Sequence, residues 1–210
     1  MSNKHHREYV AFAGTRQLAL GTLHDVTSKA RESSQQDPFT QILIFDDWTS
    51  RLIEMDLGRP EAELFRRVEE IEATVPLTQE DAEPDEGPRG PGRPKLGVVA
   101  REVTLLPRHW DWLASQPGGA SVALRKLVES ARRTNQEADR LRTAREAAYR
   151  FISTMAGNEV GFEEAARALF ACDSWRFQKL VELWPADVSI HAKRLATRSW
   201  PEVQVGMDRP

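Results

Sequence analysis

Few residues in this chain of 210 are typed and spaced for chemistry. Its five histidines, His5, His6, His24, His109 and His191, fall at no spacing that would gather a metal ion. His5-His6 lies in a polar terminus, and His109 is expected on the surface of a short helix. The single cysteine, Cys172, rules out an intrachain disulfide and a thiolate-rich zinc site, and no histidine stands near it in sequence to make a nucleophile. Asp46-Asp47 is the one acidic pair that suggests metal binding or acid–base work. It falls where a turn is expected, however, and Asp bonds its own backbone there. No glycine-rich phosphate loop or third ligand accompanies it. The residues imply no catalytic constellation, no metal and no cofactor, and the expectation is a protein that is not an enzyme.

What remains is charge. The whole chain carries a net −3, yet residues 89–150 hold 13 Lys/Arg against 6 Asp/Glu. Clustered positive charge is the electrostatic footprint of a phosphate-binding protein. The alternative is that these arginines decorate a solvated long helix.

The elements that must position this charge run from Gly92 to Arg133. Val98 to Leu106 is β-rich, and Pro107 disfavours helix at Leu106, which ends the strand. Pro107 also suits a helix's first turn, and Trp110, Leu113 and Ala114 then share one face. Pro117-Gly118-Gly119 ends that helix. Gly119 or Ser121 caps a second one carrying Val122, Leu124, Leu127, Val128 and Ala131. The helical pattern continues through Leu141, Phe151 and Met155 to Gly157, with a bend expected near the poor helix formers Thr134-Asn135.

The order VTLLP, HWDWL, GGASVALRKLVESA resembles the ribbon-helix-helix family of DNA-binding proteins. The resemblance implies a strand that pairs with its copy in a second subunit, a ribbon entering the major groove, and a second helix whose N-terminus grips phosphate. It therefore implies a homodimer. Counted back from the proline, one register buries Leu106, Thr104 and Glu102; the other buries Val103 and Leu105. Upstream, Gly90-Pro91-Gly92-Arg93-Pro94-Lys95 resembles part of an AT-hook, with Pro91 in place of the first arginine of its core. On these resemblances Arg93, Lys95, Arg101, Thr104, Gly119, Ser121 and Arg125 would approach DNA. The expected function is a homodimeric, DNA-binding transcriptional regulator. The alternative is a non-catalytic adaptor that uses the same element only to dimerise and binds a protein partner.

The fold class expected is α+β, in three parts. Residues 1–76 read as a small α/β unit of two hairpins and helices: Tyr9–Ala13 with Gln17–Leu23, a helix from Asp25, Ile42–Phe45 returning through Arg51–Leu57, and a helix over Glu61–Ala73. Residues 77–96 form a linker passing from acidic to basic, whose stretch from Thr78 to Pro94 holds five acids and four prolines. Residues 97–134 are the ribbon-helix-helix-like segment. Residues 135–198 form a helical domain with helices at Phe162–Phe170, Ser174–Trp184 behind Asp173, and Ala186–Ala196 behind Pro185; Trp175 and Trp184 are expected in its core. A tail, residues 199–210, ends the chain.

No apolar run approaches the roughly 20 residues that span a bilayer, and Met1–Val10 lacks a signal peptide's apolar core. A cytoplasmic protein with no membrane partner is expected. Taken whole, AFAG with ILIFDD, LGVVAREVTLLPRHWDWLASQPGGASVALRKLVE, and AAYRF, FEEAARALFA and LWPADVSIHAKRLA resemble an uncharacterised bacterial family, a domain of unknown function numbered 2239. That resemblance implies no activity, substrate or cofactor.

Overall fold

The structure is a computed structural model that describes residues 7–74 and 101–201. Among these residues the order is β1 (Tyr9–Ala13), β2 (Arg16–Gly21), α1 (Leu23–Gln36), β3 (Ile42–Asp46), α2 (Glu61–Thr74), α3 (Pro107–Ser115), α4 (Gly119–Ala156), α5 (Phe162–Phe170), α6 (Ser174–Val181) and α7 (Ala186–Thr197). The α+β class is as expected. The chain divides into two compact units, residues 1–75 with 138–210, and residues 76–137.

The first unit is built on a three-stranded antiparallel sheet in the order β2-β1-β3. β1, Tyr-Val-Ala-Phe-Ala, is buried along its whole length. Alternate side chains of a strand point to opposite faces, so a strand apolar at every position needs cover on both sides. Tyr9 and Ala11 pack with Leu23, Val26 and Ala30 of α1 and Val68 of α2. Val10 and Phe12 pack with Phe45 of β3 and with Phe151, Ile152, Leu169, Phe177 and Leu195 of the C-terminal helices. Residues 1–76 and 135–198 are therefore not separate domains, because both contribute to one core.

Two local expectations also change. β3 pairs with β1 along its length, and the expected return strand Arg51–Leu57 contributes only an isolated bridge, Phe45 to Leu52, with an Ile53 N–H donating to the Ile44 carbonyl at 2.8 Å. The second hairpin is thus a turn with one bridge on the edge of β3 away from β1, where the Asp46 N–H also donates to the Arg51 carbonyl at 2.9 Å. Among the C-terminal helices, Asp173 caps α6 by accepting from the Arg176 N–H, and Trp184 is buried. Trp175, expected in the core, stands 71% exposed, and Phe170 at the end of α5 is half-exposed.

In the second unit, residues 101–137 are described. Pro107 opens α3 at its first turn, with Leu106 extended at φ −66 and ψ 149. Gly118 and Gly119 turn the chain with φ of +89 and +74, a region that costs an L side chain about 1–2 kcal/mol. The strand expected over Val98–Leu106 does not form within its described part: residues 101–106 join no ladder. A lone strand in one chain has no hydrogen-bonding partner. α4 runs unbroken for 38 residues, about 57 Å at 1.5 Å per residue. Thr134, where a bend is expected, lies inside this one helix, its hydroxyl donating to the Ser130 carbonyl at 2.9 Å. Glu129 pairs with Arg132 and Arg133, and Asp139 with Arg142, each pair adding about 0.2–0.5 kcal/mol.

Candidate functional site

The residues expected to meet DNA divide between described and undescribed segments. Arg93 and Lys95, with the AT-hook-like arm and the linker, lie outside the described residues. Arg101, Thr104, Ser121 and Arg125 are all exposed, and Gly119 begins α4. Arg125 donates through Nε to the Ser121 carbonyl at 3.2 Å, which leaves its other guanidinium N–H groups to solvent. Ser121 lies inside α4, two residues past its start, so neither it nor Gly119 supplies a side-chain cap. His109 is exposed, as expected.

The same unit exposes much apolar surface. Among its described residues only Leu113 and Ala123 are buried. Val103, Leu106, Trp110, Trp112, Leu127 and Val128 are each 40–57% exposed. Six large apolar side chains left to water on two short stretches exceed the scattered exposure usual for a soluble surface.

The first unit holds a second cluster, at the turn Asp46–Ser50. Asp46 is fully buried and closes the turn: Oδ1 accepts from the N–H groups of Trp48 and Thr49 at 3.1 and 2.6 Å and from the Thr49 hydroxyl at 2.7 Å. Its Oδ2 takes Arg7 Nε. Asp47, also buried, reaches two arginines one turn apart, Arg194 on α7 and Arg198 at its C-cap: Oδ1 accepts from Arg194, and Oδ2 accepts from Arg198 Nη2 at 2.7 Å, while Arg198 Nη1 donates to the Asp47 carbonyl at 2.7 Å. Arg150 of α4 donates to the Thr49 carbonyl, and Arg198 lies over the half-exposed Trp48 ring, 5.4 Å from its centroid.

His191, one turn before Arg194, completes the cluster. Arg194 Nη2 approaches its Nδ1 at 3.1 Å. Arginine only donates, so Nδ1 accepts and the neutral ring carries its proton on Nε2. That N–H faces Asp47 Oδ1 at 3.8 Å, too far for a hydrogen bond. Burial, and then the Arg194 guanidinium, push the ring's pKa down from 6.5 to about 4 against the opposing pull of Asp47. His191 is neutral at physiological pH.

Asp46-Asp47 is therefore a turn and a latch. Each carboxylate oxygen already has a hydrogen-bond donor, and no group of three metal-ligating side chains occurs among the described residues. Arg194 and Arg198 were missed in the sequence. Their signal was His-x-x-Arg-x-x-x-Arg, three residues on one helical face, but nothing local shows that the face meets Asp47.

Sheet, helices and latch define an α+β protein with a second, apolar and basic helical unit. The chain belongs to the bacterial family described as "Uncharacterized protein conserved in bacteria (DUF2239)", whose model matches residues 8–196. No curated protein and no solved structure matches it. No described helix is long and apolar enough to cross a membrane.

Proposed function

We propose that the chain is a homodimeric DNA-binding regulator that self-associates and contacts DNA through residues 101–133. One observation carries this reading: the second unit buries only Leu113 and Ala123 among its described residues while presenting Val103, Leu106, Trp110, Trp112, Leu127 and Val128 to water. Burying such side chains is worth about 1.5–3 kcal/mol each, so an element of this kind gains its core by pairing. A second copy supplies a matching surface by symmetry, and it gives the unladdered segment before Pro107 a strand to pair with. Arg101, Arg108, Arg125 and Lys126, exposed on the same stretch, supply the cationic groups that phosphate requires.

The test is fluorescence anisotropy of the full chain with a random duplex and genomic fragments at several salt concentrations, with the mass measured by light scattering. A dimer whose affinity falls steeply with salt, and falls further in the double variant Arg101→Ala/Arg125→Ala, is expected. A dimer indifferent to DNA at low salt would move the reading to an adaptor for a protein partner. A monomer would remove the ribbon-helix-helix reading.

A further inference from the structure

The geometry points to a phosphate-binding site in the first unit, where the Asp46–Ser50 turn meets α7, formed by Arg194, Arg198 and Trp48 over the buried His191 and Ser50. It stands apart from the proposed DNA contact, which lies in the other unit.

Charge is the first support. Arg7, Arg150, Arg194 and Arg198 converge on a turn that holds two carboxylates, Asp46 and Asp47. Arg194 and Arg198 share the single Asp47 carboxylate, so cation exceeds anion there. Their side chains are 34% and 27% exposed, open to a ligand on one side while anchored on the other. Anchoring matters, because a guanidinium already held in place loses less freedom on meeting an oxyanion. Arg194 uses Nη2 in its contacts with Asp47 and His191. Of a guanidinium's five donors, the rest of its fork remains for the paired oxygens of a phosphate.

Unsatisfied donors are the second support, and they are independent of the charge count. His191 Nε2 and Ser50 Oγ have no hydrogen-bond partner, and both residues are 1% exposed. Buried polar atoms without partners are few in folded proteins. Ser50 is also held at φ +51, an unusual conformation for a residue other than glycine. An oxyanion that takes Arg194 and Arg198 offsets the surplus cation and frees Asp47 Oδ1 to accept from the His191 Nε2–H that faces it at 3.8 Å. Trp48, 54% exposed beside Arg198, forms the outer wall and reports on occupancy.

The experiment titrates the full chain with inorganic phosphate, and separately with a nucleoside monophosphate, against chloride at matched ionic strength, following tryptophan fluorescence and thermal stability. A saturable response to both phosphates, absent with chloride, is expected. Arg198→Lys keeps a cation on Asp47 but loses the fork, and should weaken phosphate about tenfold while leaving the circular dichroism unchanged. Trp48→Phe should remove the fluorescence change and keep the thermal shift. No saturable response up to about 10 mM phosphate, or equal affinity in Arg198→Lys, would overturn the site. Displacement of phosphate by a random duplex would overturn the small-ligand assignment and make the cluster a DNA contact; loss of DNA binding with phosphate binding intact would leave it standing.

Discussion

His191 shows how much a residue's surroundings decide. Its ring touches Phe151, with centroids 4.4 Å apart, and Phe12 at 5.6 Å, and it also meets the charged groups Asp47, Arg194 and Arg198. Because its folded pKa of about 4 lies below the ordinary 6.5, the unfolded chain binds a proton first as pH falls. Its contribution is complete above pH 6.5, drains away between 6.5 and about 4, and is constant below. The slope in that window is at most about 1.4 kcal/mol per pH unit. Urea midpoints of wild type and His191→Phe across pH 4–7 should converge as pH falls; parallel curves would show that the ring does not titrate on unfolding.

At the scale of elements, α4 and the turn before it are the features most exposed to test. Gly118 adopts φ +89, and a Cβ added there would stand 3.1 Å from the Val122 side chain. Gly118→Ala should therefore cost about 1–2 kcal/mol from the backbone alone, and more from the contact. Gly119 has the same kind of φ, +74, but open space around its Cβ position. An alanine at Gly118 should lower the helical melt more than one at Gly119; equal losses would mean that the Val122 contact contributes nothing. The α3–turn–α4 pattern was legible because Pro107, Pro117, Gly118 and Gly119 act within a few residues of themselves. The unbroken course of α4 past Thr134 was not. Intrinsic propensity is a weak prior there, and ion pairs one turn apart favour continuing the helix.

At the scale of the molecule, the first unit folds from both ends of the chain. Phe151, fully buried, packs its ring against Phe12 and Phe45 with centroids 5.5 and 5.4 Å away, so one side chain of α4 holds the face of a sheet made more than 100 residues earlier. Phe151→Ala should destabilise by about 3–5 kcal/mol. It should shift the unfolding of strands and of C-terminal helices together, seen as one midpoint by far-ultraviolet dichroism and by a fluorescence probe on the sheet. Two separated midpoints would contradict the shared core.

The sequence by itself determined where most elements start and stop: the first hairpin, the Asp173 cap, Pro107 opening α3 and Pro185 before α7, and the apolar run of β1. These signals act between near neighbours and can be read in one pass. Only the tertiary structure decided what covers β1, that β3 pairs with it along its length while Arg51–Leu57 adds a single bridge, and that Asp47 meets Arg194 and Arg198. Those choices depend on contacts between residues far apart in the chain, 151 positions for Asp47 and Arg198. Burial on both faces of a sheet depends on which distant helix arrives, and no local pattern encodes that.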